Sequence, residues 1–185
     1  MTLLQTLRYG TALWIMSVAT IALAQPVQLV GSKINATFTQ MGVAVEVPFK
    51  RFSGTVVYDP AAPEKSVADL SVDVSSFDLG DPLYNAEVLK SEWFAADKYP
   101  QARFVSTAVR AVSVNQLQID GTLTIKGITK PLQVVAVVDE QNSGYGFTGA
   151  IPISRLGYRI GEGEWFDTDL VGDAVQIHFR LLTQP

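Results

Sequence analysis

The sequence predicts an all-β fold of about eight antiparallel strands, closed as a barrel or stacked as a sandwich, with a short helical insertion at roughly 81–97. Three observations predict it. From Gln25 to Pro185 the chain is a succession of short β-rich runs. Turn signals punctuate them at Asp59-Pro60, Lys126-Gly127, Asn142-Ser143-Gly144 and Gly172-Asp173. Many runs are also apolar on both faces: Val134, Val135, Ala136, Val137 and Val138 stand in a row, as do Val56, Val57 and Tyr58. A sheet with one wet face alternates apolar and polar residues, and these strands alternate only in part. Their second face needs something to touch. A second sheet, a lipid bilayer or an apolar ligand inside a barrel would each supply it.

Residues 1–24 read as a cleaved export signal. Arg8 and the amino terminus form a small positive region, Thr11 to Ala24 is uncharged and apolar, and Ala22-Leu23-Ala24 offers small residues to a signal peptidase. The run is shorter than the about 20 apolar residues that a spanning helix wants. The strands follow at Gln28–Phe38, Val45–Tyr58, Ser66–Val74, Ala102–Val112, Leu117–Ile125, Leu132–Asp139, Gly144–Ile153 and Ala174–Leu182. One region breaks the pattern. Asp81-Pro82 pairs an N-cap residue with proline at the first helical position, so a helix can run to about Lys90. Ser91 then caps a further turn bearing Glu92, Trp93 and Phe94, and Tyr99-Pro100 ends the insertion.

Removing 24 of 185 residues leaves 161, which suits one domain over 25–185. Without Arg8 the basic count of 14 falls to 13 against 18 acidic residues, a charge of −5. That balance speaks against nucleic acid as a partner. The chain has no cysteine, so the core alone must hold the exported fold, and thiol catalysis and thiolate metal sites are excluded. The expected address is a bacterial periplasm.

Catalytic chemistry is scarce. His178, the one histidine, shares a strand face with Gln176 and Arg180, opposite Val175, Ile177, Phe179 and Leu181, and is expected to face solvent. A single histidine without cysteines makes a poor metal site. The pairs Asp167/Asp169 and Asp73/Asp78 lie in turn-like settings and read as solvated surface charge. No nucleophile elbow, dinucleotide loop or phosphate loop is present, so neither a metal nor a cofactor is expected.

The chain does carry large apolar side chains beside its loops. Trp93, Phe94 and Tyr99 lie in the insertion, Phe49 and Phe52 flank Lys50-Arg51, Trp165-Phe166 follows a glycine-rich stretch, and Met41 sits beside Gly42 in a bend. Singly, each is ordinary core. As a set they suggest a pocket with aromatic lips and positive charge from Lys50, Arg51, Arg155 and Arg159. Such a site suits an amphiphile with a long tail and a polar or anionic head.

These stretches also resemble the YceI-like, polyisoprenoid-binding family of exported bacterial proteins. The resemblance rests on Val47-Pro48-Phe49-Lys50-Arg51-Phe52-Ser53-Gly54, on Ser91 through Phe104 (SEWFAADKYPQARF), on Gly121 through Pro131 (GTLTIKGITKP) and on Val171 through Ile177 (VGDAVQI). It implies a lipocalin-like closed antiparallel β-barrel with an internal tunnel for an isoprenoid chain, and binding or carriage in place of catalysis. The residues so expected at the ligand are Phe38, Met41, Phe49, Phe52, Trp93, Phe94, Tyr99, Phe104, Phe147, Tyr158 and Trp165, with Arg51 and Arg155 at the head group. The chain departs from the family where Gln40-Met41-Gly42 stands for an early histidine and Asn85-Ala86-Glu87 for an Arg-Asp pair. A late Arg-x-Asp-Phe-Gly block reads Arg155-Leu156-Gly157-Tyr158. The partners implied are an isoprenoid lipid or quinone and a membrane met transiently during exchange, with a homodimer left open.

Energetics bound that function. At about 0.8 kcal/mol per buried methylene, a tail of about 25 carbons would reach roughly 20 kcal/mol against water, the practical ceiling for non-covalent affinity. Such a lipid starts in a bilayer, however, which is as apolar as a tunnel, so transfer is near balance and suits a carrier or buffer. Two other readings are an enzyme acting on a lipophilic substrate, which lacks a recognisable nucleophile or metal set, and an outer-membrane barrel. The latter would place apolar residues outward only.

Overall fold

The structure, a computed structural model, describes residues 24–141 and 144–183. The expected export signal lies outside these residues apart from Ala24, as do Asn142 and Ser143 of the turn at Gly144. Nine strands form one antiparallel sheet: β1 (Gln25–Gln40), β2 (Val43–Pro48), β3 (Phe52–Val57), β4 (Val67–Asp73), β5 (Gln101–Ser113), β6 (Gln116–Ile125), β7 (Ile128–Gln141), β8 (Gly144–Ser154) and β9 (Ala174–Thr183). Each neighbours the next from β3 to β9, and β1 pairs with both β3 and β9. The sheet therefore closes into an eight-stranded barrel, with β2 as an additional strand on β1. Between β4 and β5 lies α1 (Pro82–Glu87), the one α-helix among the described residues.

Strand β1 makes closure possible by serving three neighbours. Gln25 and Pro26 pair with β3, Val27 and Gln28 with β9, and after a shift in register Lys33–Thr37 pair again with β9 while Asn35–Gln40 pair with β2. The shift is a bulge at Leu29–Ser32 that contains Gly31 at φ +85°, a conformation open to glycine. The predicted strand Val45–Tyr58 is in fact two strands, β2 and β3. After Pro48 the chain leaves β1 and crosses to the end of β4, where Lys50 N donates to Ser76 O and Asp73 N donates to Arg51 O. Proline at the end of β2 lacks the donor that would continue the ladder.

The apolar doublets resolve simply. In β7, Val134, Ala136 and Val138 point inward and are buried, while Val135 and Val137 face outward and are exposed. The second face of that run touches no other sheet. Around them the outer wall is polar, with exposed ion pairs Arg103–Asp69 at 2.5 Å and Arg110–Asp120 at 2.7 Å. Apolar inside and charged outside is the reverse of a membrane-spanning barrel. His178, Gln176 and Arg180 are exposed on β9 as their alternation predicted.

The insertion forms as its sequence dictates, with a shorter helix than expected. The Asp81 carboxylate accepts from Leu83 N and Tyr84 N, and Pro82 opens the first turn. Asn85 locks the start of this segment by accepting from Leu79 N at 2.7 Å and donating to the Asp78 carboxylate at 2.8 Å. Past Glu87 the chain runs as successive turns to Pro100.

Candidate functional site

Three segments gather at one end of the barrel. They are the β1–β2 hairpin, the insertion, and the β8–β9 connection (155–173). The hairpin turns at Met41 and Gly42, both with positive φ, in the two-residue form that glycine permits. Met41 N donates to Leu170 O and Gly172 N to Thr39 O, joining the hairpin to the connection. Gly161 N and Glu162 N both donate to Glu92 O, joining the connection to the insertion. The Trp93 and Trp165 rings pack at 5.4 Å across that junction.

Beneath these segments lies a chamber of about 540 Å³, within the range of ligand pockets. Of the expected residues, Phe38, Met41, Phe49, Trp93, Phe94, Trp165 and Arg155 line it. Deeper in the barrel a second chamber of about 130 Å³ is walled by apolar side chains, Phe104 and Phe147 among them. Phe49, Phe94, Ile125 and Ile177 border both chambers, so the two meet at these four residues. The far end is closed by Tyr58, whose ring stands edge-on to Tyr145 at 4.8 Å and to Phe147 at 5.5 Å. Burial pushes the Tyr58 hydroxyl above its ordinary value, as does the charge it would share with Tyr145.

Four expected residues are not brought to the chambers. Tyr99 lies over the Lys126-Gly127 turn, where a side chain on Gly127 would strike its ring. Tyr158 is buried in the wall with Lys130 over its ring at 5.2 Å. Phe52 borders a groove on the outer surface together with Leu29 and Lys33. Arg51 points outward and pairs with Asp73 at 2.8 Å.

The positive lip that the sequence suggested is absent as well, because its four cations are engaged elsewhere. Lys50 pairs with Asp78, and Arg159 with Glu162 at 2.8 Å. Arg155 reaches the wide chamber but is 2% exposed, and its guanidinium donates to the carbonyls of Ile160, Gly161, Trp165, Val171 and Gly172. Burial holds its pKa below the ordinary arginine value, opposed by the charge of Asp173. Its role in the structure is to fold the β8–β9 connection. Gly161, at φ +78°, lets the guanidinium approach closely.

Sequence reasoning placed Met41 and Phe166 at the lips but missed two features of the site. Val43, Leu83, Tyr84 and Leu170 are exposed at the mouth with them. Their signal was present, since apolar residues beside a capped turn and a Met-Gly bend have no core to enter. The Trp93 ring lines the chamber, and its indole nitrogen is buried in the wall with no hydrogen-bond partner in the protein. Only the fold could reveal that. The other polar side chains on the chamber are Gln40, Tyr84, Glu87, Arg155 and Trp165, and the Glu87 carboxylate is held by Lys90 at 2.5 Å.

This architecture is shared with known proteins. The YceI-like domain matches residues 27–182. Burkholderia cenocepacia BcnA superposes with a TM-score of 0.82 at 43% identity, over 84% of this chain and 98% of that one. A polyisoprenoid binding domain from Saccharophagus degradans superposes with a TM-score of 0.70 at 17% identity, over 88% of this chain and 98% of that one. A UPF0312 protein of Pseudomonas syringae pv. tomato is 29% identical over 138 residues, 69% of this chain and 72% of its own length. With its closed barrel and a match that runs from the first strand to the last, the chain belongs to the YceI-like family.

Proposed function

We propose that this protein is a periplasmic lipid-binding protein that holds an isoprenoid chain inside the barrel, as a carrier or buffer exchanging with membranes, and that it acts by binding and not by catalysis. The observation that carries this reading is the interior itself: a chamber of about 540 Å³ under an apolar mouth, continuing toward a second apolar chamber deep in the core. Native cores are close-packed and leave few voids larger than a water molecule. The polyisoprenoid binding domain of Saccharophagus degradans, alike in fold, supports the choice of ligand class.

An isoprenoid of this class carries either a quinone or a phosphate head, and the site favours a neutral quinone over a polyprenyl phosphate. A phosphate needs free cationic or backbone donors. Among the described residues that line the wide chamber the one cation is Arg155, and carbonyls take up its donors. Glu87 would repel an anion. The Trp93 N–H is suited to one neutral acceptor, such as a quinone carbonyl.

The test compares a quinone, a polyprenyl phosphate and squalene by titration against wild type and Trp93→Phe. The quinone should bind more tightly than the phosphate of equal tail. Trp93→Phe should weaken it by about fivefold, the worth of one hydrogen bond, and leave squalene unchanged. Tighter binding of the phosphate, or equal loss for quinone and squalene, would reverse the head-group assignment.

A further inference from the structure

Phe49 borders three separate spaces: the wide chamber, the inner chamber and the groove on the outer surface. Its ring lies 5.0 Å from that of Phe77 and 6.4 Å from that of Phe94, which is itself 5.6 Å from Phe77. The three rings form a triangle where the chambers meet. The backbone beneath is pinned, because Phe49 N donates to Ile34 O at 2.9 Å and Lys50 N to Ser76 O at 3.1 Å. The side chain is less confined. The groove beside it is about 560 Å³, lies between β1 and the start of β3, and is bordered by Leu29, Lys33 and Phe52. There β1 has turned from β3 to β2, so no ladder seals the wall.

The inner chamber is suited to the end of a chain and to little else. It is apolar, and at about 130 Å³ it resembles the engineered cavity of about 150 Å³ that stays dry and takes a benzene-sized guest. That is room for one terminal isoprene unit.

We propose that Phe49, backed by Phe77 and Phe94, sets the length of chain the barrel accepts. A chain that ends within the wide chamber binds with the three rings in place. A longer one binds with the Phe49 ring turned toward the outer groove and its last unit in the inner chamber. This rests on the reading that the interior takes an isoprenoid chain, and it adds the residues that select among such chains.

The test uses the full mature chain and a series of all-trans prenyl alcohols: geraniol, farnesol, geranylgeraniol and solanesol. Affinity from water rises with length in any apolar site, so the quantity read is the ratio of variant to wild-type affinity at each length. Phe49→Trp narrows the passage and Ala136→Leu fills the inner chamber from a side chain that is 0% exposed. Both should weaken the longest alcohol by about tenfold or more relative to the shortest. Phe49→Ala should shift the ratio the other way, favouring the longest alcohol over the shortest. The same ratio at every length, in Phe49→Trp and Ala136→Leu alike, would overturn the assignment while leaving lipid binding intact. Failure of wild type to bind any alcohol would overturn both.

Discussion

Arg155 and Trp93 sit on the same chamber and do opposite things. Arg155 is satisfied: five carbonyls accept its donors, so the side chain is scaffold for the β8–β9 connection. Arg155→Ala should destabilise the fold by about 3 kcal/mol or more, since it strands several buried carbonyls. Arg155→Lys should recover little, because one ammonium cannot span the positions a planar guanidinium reaches. Denaturant unfolding checks both. A variant that keeps wild-type stability but loses binding of an anionic lipid would make Arg155 a head-group contact after all. Trp93 is unsatisfied: its indole nitrogen has no partner in the protein, and the proposed quinone carbonyl would supply one. The sequence made both residues visible as candidates. It could not assign these roles, because they depend on contacts across the fold. Lys50, Arg51 and Arg159 show the same limit: each is taken up by a carboxylate, two of them on other segments, that local sequence does not nominate.

At the scale of elements, the strands were legible wherever a turn residue with a defined backbone role bounded them. Lys126-Gly127 marks the β6–β7 hairpin, and Asp81-Pro82 starts α1. In Val45–Tyr58 the break itself was legible at Pro48, but not that the first half pairs with β1 and the second with β4, which is a long-range property. The same division opens the seam beside Phe49. The mouth elements carry a prediction about exchange. Their exposed apolar residues surround the chamber, while Glu164, Asp167 and Asp169 lie close by in the β8–β9 connection and are exposed, so the proposed exchange with a membrane would rest on apolar insertion and not on charge. Replacing Leu83, Phe166 and Leu170 together with serine should slow lipid transfer from neutral vesicles by about tenfold at unchanged equilibrium affinity. Transfer that is unaffected, or that accelerates on anionic vesicles, would contradict this.

For the whole molecule, the β content and the surplus of apolar residues were readable, but the inference drawn from the surplus was only half right. Val135 and Val137 face solvent, and the space for a ligand comes from how eight strands close, not from a second apolar face. Closure depends on the bulge in β1 and on the pairing of the first strand with the last, both long-range properties. An empty inner chamber of about 130 Å³ costs about 3 kcal/mol of stability, at about 24 cal/mol per Å³ of cavity, so a lipid tail that fills it stabilises the fold as it binds. Against a bilayer the net transfer stays near balance, which suits reversible carriage. The central claim is that the interior holds an isoprenoid lipid, and the most direct measurement is a native mass spectrum of the protein purified without detergent, followed by extraction and identification of what it carries. The account predicts a mass excess matching one isoprenoid lipid per barrel, with a quinone head. A protein that is empty as isolated, and stays empty after incubation with quinone-loaded vesicles, would contradict it.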